Sequence, residues 1–271
     1  MIDRLHHVGI VVHSADDALG FYRDIMGLEV AVDEVVEEQG VRGVLLPLGE
    51  NEIELLEPVQ PDTGVARYLE TRGQTLHHFC FSTDDIRTEL ARVRDLGIEL
   101  IDQEPRYGLA GEIAFLHPRS MHGVLVELAQ PRPDAHHSDA KGIDHLAVRV
   151  ADYEAAKARW NEVVGVEESN RFDVEAAEII IGQFPISQTV IELIAPASPD
   201  APLAKIIEEQ REGAFPVAAV EVADLDTEIA RYRAAGLDVP DAEVGTLPGT
   251  RRSTISAEQS FGLGIQLLEY V

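Results

Sequence analysis

The chain has 271 residues and a formal charge of −27, from 22 Lys and Arg against 49 Asp and Glu. Hydrophobic residues make up 45%, enough for a sizeable core and too many for a disordered chain. The acidity excludes non-specific binding to nucleic acid or to an anionic membrane, since both need a basic footprint.

A single cysteine, Cys80, excludes an intrachain disulfide and a cysteine-rich zinc site, and it suits a reducing compartment. No segment approaches the apolar length of a membrane span. The opening residues, Met1 to Val8, lack a signal-peptide build and lead straight into a strand, so the expected location is cytoplasmic. Lysine is confined to Lys141, Lys157 and Lys205. High-salt adaptation and a GC-rich coding bias both produce that balance.

In chain order, a strand is predicted through Leu5-His6-His7-Val8-Gly9. A helix follows, opened by Ser14-Ala15-Asp16-Asp17, close to a capping box, and carrying Leu19, Tyr22 and Ile25-Met26 on its apolar side. Short β-rich runs come next, at 28–36, 41–48 and 51–56. The pattern then restarts. Leu76-His77-His78-Phe79-Cys80 resembles the first strand, Asp84-Asp85 repeats the polar turn, and Ile86, Leu90, Val93 and Leu96 mark a helix stopping near Gly97. Runs at 98–103, 112–116 and 123–129 complete the second round. Each unit reads strand, helix, strand, strand, strand.

The whole arrangement recurs at one offset. Ile53-Glu54-Leu55-Leu56-Glu57-Pro58 returns as Ile191-Glu192-Leu193-Ile194-Ala195-Pro196, 138 residues on. The same offset relates His7 to His145 and Gly27 to Gly165. An offset of 139 relates Leu90-Ala91-Arg92 and Gly97 to Ile229-Ala230-Arg231 and Gly236. The expected organisation is therefore a tandem duplication: a first domain over 1–130, a Pro-, Asp- and His-rich linker over 131–142, and a second domain over 143–271.

Four residues of the first copy are polar where a strand should be apolar. His7 and His78 open its two units. Glu54 and Glu127 lie in the last strand of each, with Ile53 and Leu55, and Val126 and Leu128, facing the other way. A carboxylate in such a strand needs water, a cation or a metal, because an unpaired buried charge is very costly. Two imidazoles and two carboxylates from four strands form a shell for one divalent metal, with Co, Mn, Ni and Zn all compatible. His6 and His77 are expected to face the opposite way as structural residues. His13, His122, His136 and His137 fall in loops or the linker, and His117 is a weak pocket-lining candidate. In the second copy the four positions become His145, Glu192, Val217 and Gln266, half a shell, which predicts that this copy binds no metal and serves as a structural half, a lid or a dimer mimic.

These residues resemble the vicinal oxygen chelate (glyoxalase/bleomycin resistance/dioxygenase) superfamily. That resemblance implies an α+β fold in which four βαβββ units form two cupped mixed β-sheet domains. Along nearly its full length the first copy is similar to the methylmalonyl-CoA epimerases. The similarity is carried by His6-His7-Val8-Gly9, Phe21-Tyr22-Arg23-Asp24, Glu38-Gln39-Gly40-Val41, Glu52-Ile53-Glu54-Leu55-Leu56-Glu57-Pro58, Leu76-His77-His78, Glu104-Pro105-Arg106, Phe115-Leu116-His117-Pro118-Arg119-Ser120 and Val124-Leu125-Val126-Glu127-Leu128.

The resemblance implies metal ligands at His7, Glu54, His78 and Glu127, and an acyl-CoA or similar activated acid whose α-proton is moved by an isomerase. Glu127 is the first candidate for proton transfer. Some epimerases place another glutamate where this chain has Gly43, which leaves the second acid/base open between Glu54 and water. Arg106 and Arg119 are the candidates to meet the substrate's anionic part against the global charge. Arg67 and Arg72 read equally well as a solvated helix face. Either a monomer containing an internal pseudo-dimer or a homodimer is expected. The competing classes are a glyoxalase-I-like lyase or isomerase, an extradiol dioxygenase and a non-enzymatic small-molecule binder.

Overall fold

The structure, a computed structural model, describes residues 1–132, 138 and 140–271. The first copy runs β1 (Ile2–Val11), α1 (Ala15–Tyr22), β2 (Val32–Val36), β3 (Val41–Leu48), β4 (Asn51–Pro58), α2 (Gly64–Arg72), β5 (Thr75–Thr83), α3 (Ile86–Asp95), β6 (Arg106–Gly108), β7 (Gly111–Leu116) and β8 (Val126–Pro131). The second runs β9 (Ile143–Arg149), α4 (Tyr153–Val164), β10 (Asn170–Val174), β11 (Ile179–Ile186), β12 (Thr189–Pro196), α5 (Pro202–Gln210), β13 (Gly213–Glu221), α6 (Leu225–Ala234), β14 (Glu243–Val244), β15 (Thr250–Ile255) and β16 (Gly264–Tyr270). Among the described residues no helix is long and apolar enough to cross a membrane.

Local chemistry explains where the helices begin. Ser14 accepts from the Asp17 amide, Thr63 from Ala66, Asp85 from Thr88, Asp152 from Ala155 and Asp224 from Thr227. Each side-chain oxygen satisfies one of the amides that an N-terminal turn leaves open. In each βαβββ unit an arginine ion pair then ties the helix's first turn to a strand. The pairs are Arg42 with Asp16, Arg87 with Glu112, Arg171 with Glu154, and Arg251 with Asp226. The buried Ala18, Leu19, Phe21 and Tyr22 of α1 and the buried Ile86, Leu90 and Val93 of α3 give these helices their sheet-facing sides.

The strands form two eight-stranded mixed sheets, in the orders β2-β3-β4-β1-β5-β8-β7-β6 and β10-β11-β12-β9-β13-β16-β15-β14. The two orders are the same pattern, so the duplication read in the sequence extends to strand pairing. β1 and β4 are parallel, with Gly9 opposite Glu54. β5 and β8 are parallel, with Cys80 opposite Glu127.

By contact density the chain divides into two compact units. One comprises Met1–His6, His78–Ala135 and His145–Phe215; the other comprises His7–His77, His136–Asp144 and Pro216–Val271. Each unit thus holds one βαβββ segment from each copy. Within the first, Arg92 of α3 donates to the Glu162 and Val163 carbonyls that end α4. Within the second, Arg231 of α6 donates to the Ile25 carbonyl just after α1, 2.7 Å away, and Tyr22 donates to the Ser260 carbonyl, also at 2.7 Å.

Several boundaries differ from the sequence reading. The run at 98–103 is not a strand. After Gly97 turns the chain at φ +76°, the Ile98 amide bonds back to Val93, and the Asp102 side chain takes the Phe115 amide and the Arg106 guanidinium. Only Leu100 bridges to Leu116, and the strand starts at Arg106 instead. The runs at 28–36 and 123–129 begin later, at Val32 and Val126. Ile25 and Met26 lie beyond α1, in a turn whose amides return to Phe21. His136 and His137 of the linker lie outside the described residues.

Candidate metal centre

Sheet order puts the four expected ligands on four consecutive strands, β4, β1, β5 and β8, of the first sheet. The side chains pair up within each compact unit. In one, His7 Nε2 lies 3.5 Å from Glu54 Oε2, with His7 0% and Glu54 5% exposed. Gly9, opposite Glu54 in the ladder, brings no side chain to crowd the carboxylate. In the other unit, His78 Nε2 lies 3.6 Å from Glu127 Oε2, and both residues are buried.

Each pair borders an apolar patch. Beside His7 and Glu54, the buried Val11, Val41, Leu56 and Leu69 pack with Val65 and Tyr68 of α2. Beside His78 and Glu127, the patch is Cys80, Ala110, Ile113, Phe115 and Ala129. Such walls exclude water and raise the cost of an uncompensated charge. Burial accordingly pushes the Glu127 carboxyl up to about 8, against the opposing pull of a hydrogen bond from Cys80 and of the Arg106 charge. A cation beside Glu127 would act in the opposite direction and favour the carboxylate.

The donors suit a divalent ion. Two ligands about 2.1 Å from one cation lie about 3.0–3.4 Å apart, close to the 3.5 and 3.6 Å spacings in the two pairs. Neutral imidazole nitrogens with carboxylate oxygens match Zn, Mn, Co or Ni.

Arg106 belongs to the surroundings of the second pair. Its guanidinium lies 5.4 Å from the Phe115 ring centroid and its Nε is 3.2 Å from Asp102. Phe115 in turn meets the His78 ring edge-on at 5.3 Å. Arg119 is 77% exposed, with Glu99 at 3.6 Å. The His117 Nδ1 accepts from the Arg119 amide and caps a short turn. His77, expected to be structural, meets Tyr68 edge-on at 4.6 Å, and desolvation pushes it down to about 4, which keeps it neutral. His122, expected to lie idle in a loop, is bonded to Glu212.

In the second copy the remaining carboxylate has a side-chain donor. Glu192 is buried, and its Oε1 accepts from Gln183 Nε2 at 2.9 Å. Val217 and Gln266 offer neither an imidazole nor a carboxylate. Sequence reasoning passed over both Gln183 and Cys80. Strand alternation held the signal for Cys80, which stands two residues after His78 and so shares its face.

Two curled eight-stranded sheets built from repeated βαβββ units define a tandem vicinal-oxygen-chelate fold. The sequence matches the Glyoxalase/Bleomycin resistance protein/Dioxygenase superfamily over residues 6–116 and again over 144–252, and the chain belongs to that superfamily. Half of the chain is similar to shorter relatives. The uncharacterized protein YqjC of Bacillus subtilis is 42% identical over 136 residues, 50% of this chain and 97% of that one. The ethylmalonyl-CoA/methylmalonyl-CoA epimerase of Cereibacter sphaeroides is 35% identical over 133 residues, 48% of this chain and 99% of that one. A variant of 4-hydroxymandelate synthase from Streptomyces coelicolor covers the whole chain and 93% of its own, with a TM-score of 0.76 at 17% identity, a likeness of fold.

Proposed function

We propose that the domain over 1–130 holds one divalent cation through His7, Glu54, His78 and Glu127, and that the chain is an epimerase of the methylmalonyl-CoA type. On this reading it moves the α-proton of an acyl-CoA or a similar activated acid. The observation that carries the reading is the pair of buried His–Glu couples at equivalent points of two repeated units. The 35% identity to nearly the full length of an acyl-CoA epimerase supports the choice of substrate class.

When bound, the cation supplies Lewis-acid stabilisation of the negative charge that develops on the thioester oxygen. The protein's residues do the rest. Glu127 is the candidate to hold and move the α-proton. Glu54 is the candidate for the opposite face of the substrate. The apolar patches beside the two couples exclude water. Arg106, steadied on Phe115, and Arg119 meet the anionic part of the substrate locally, against an overall charge of −27. The second domain, 143–271, stands in structurally for a partner copy and takes no metal. A reducing, cytoplasmic setting agrees with the single thiol of Cys80.

The test is to incubate metal-loaded protein with one methylmalonyl-CoA epimer in deuterated water and to follow both chirality and α-deuterium. Racemisation with deuterium uptake is expected, and His78→Ala is expected to abolish both. A folded, metal-loaded chain that exchanges no deuterium would overturn the epimerase reading.

A further inference from the structure

We propose that Cys80 is a positioning residue: its thiol donates to the Glu127 carboxylate and holds one of its oxygens toward His78 and the cation. The proposal rests on the metal reading above. Cys80 and Glu127 face each other directly in the parallel β5–β8 ladder, and the thiol is hydrogen-bonded to the carboxylate. Both side chains are buried, 0% and 3% exposed. Ala110, Ile113, Phe115 and Ala129 pack with Cys80 as an apolar cluster, and the thiol also lies within 4.8 Å of a His6 ring nitrogen. His78 and Cys80, successive residues on one face of β5, therefore grip Glu127 from a single rigid strand, with His78 Nε2 3.6 Å from Oε2.

The duplication supplies an internal control. Four places in the two sheets are equivalent to Cys80 opposite Glu127. The others hold Gly9 opposite Glu54, Ala147 opposite Glu192 and Ala219 opposite Gln266. A donor side chain occurs only at Cys80. Where the carboxylate has become Gln266, the thiol has become Ala219 and the imidazole Val217, so the three groups are lost together. Thiols are weak donors, yet a bond that fixes a ligand's rotamer acts through the cation: losing an outer-shell partner typically costs about 10–100-fold in metal affinity.

The test uses the full chain and titrates Co(II) into Cys80→Val, Cys80→Ala and Cys80→Ser, with thermal melts to confirm folding. Cys80→Val and Cys80→Ala are expected to weaken binding by about tenfold, the low end of that range. Cys80→Ser, which restores a donor, is expected to recover most of the loss. Unchanged affinity in Cys80→Val, or a Cys80→Ser variant as weak as Cys80→Val, would overturn the positioning role. Because the chain has one cysteine, its S–H infrared stretch reports this thiol alone. It should sit at the lowered frequency of a hydrogen-bonded thiol and rise in Glu127→Leu; a band that does not move would also overturn the proposal. An unaltered chain that takes up no Co(II) would sink the metal reading itself, while the infrared band would still report the bond.

Discussion

Gln183 donates through Nε2 to Oε1 of Glu192 at 2.9 Å from the position directly across the β11–β12 ladder. The corresponding place across β3–β4, opposite Glu54, is held by Leu45. One difference between the copies thus gives the same glutamate different surroundings. Leucine supplies no donor to Glu54, which has His7 Nε2 3.5 Å away. Glutamine supplies an amide donor to Glu192.

One ion per chain is the expected metal content after loading and exhaustive dialysis. Glu54→Ala or His78→Ala should abolish it, while Glu192→Ala should leave it unchanged. Elemental analysis decides the matter. Two tightly held ions per chain would contradict the assignment of the second copy as metal-free.

Gln183→Leu should destabilise the chain by about 1–3 kcal/mol, the usual cost of stranding a buried polar group. Adding Glu192→Leu should recover most of that loss, because the stranded carboxylate is then gone. A double-mutant cycle in urea measures the coupling. Independent, additive effects would show that Gln183 does not support Glu192.

Much of this was legible in the residues. The offset between Glu54 and Glu192 gave the duplication, and polar residues in otherwise apolar strands gave the four candidate ligands. Ser14 marked the start of α1, and the structure confirms the bond to Asp17. What stayed hidden depends on long-range pairing. The apolar residues at 98–103 suggest a strand, but the Asp102 side chain takes the Phe115 amide and Arg106, and this local choice displaces the regular ladder. The roles of Cys80 and Gln183 depend on strand register, which a single sequence does not reveal when their partners lie 47 and 9 residues away.

The turns at Gly123 and Gly262 should not tolerate a side chain. Gly123 has φ +81°, and an added Cβ would lie 2.2 Å from the Glu212 carbonyl oxygen. Gly262 has φ +105°, and its Cβ would lie 2.6 Å from the Thr75 amide nitrogen. Both turns seat backbone against backbone, so neither neighbour can swing aside. Alanine at either place should cost more than about 1 kcal/mol. Gly20→Ala is the opposite case, since Gly20 lies inside α1 with nothing within 4 Å of the added methyl. It should stabilise by about 0.5–1 kcal/mol. Thermal melts of the three variants should therefore move in two directions; a loss at Gly20→Ala comparable to the others would refute the steric account.

Glu212 should give the chain a small acid-sensitive contribution to stability. Its carboxylate lies 3.2 Å from His122 Nδ1 and accepts from the Ala151 amide at 2.6 Å. The His122 hydrogen bond is the largest influence holding the carboxyl below its ordinary value; burial opposes it, and the Ala151 amide adds to it. A carboxyl with a depressed folded-state value stabilises the fold fully above its unfolded value, about 4.3. The contribution is lost as pH falls through the lower folded value. Because the side chain is 28% exposed, screening should hold the effect to about 1 kcal/mol or less. In the neutral unit-equivalent position, Gln74 accepts from the His13 amide at 2.9 Å, so an uncharged acceptor can fill the place. Glu212→Gln should therefore fold, and should be less stable than the parent at pH 7. The gap should close as the pH falls below the unfolded value and through the lower folded one, where the parent's carboxyl becomes protonated. Urea midpoints for the two proteins across that range make the measurement, and a gap that stays constant into acid would show that the carboxylate's charge contributes nothing.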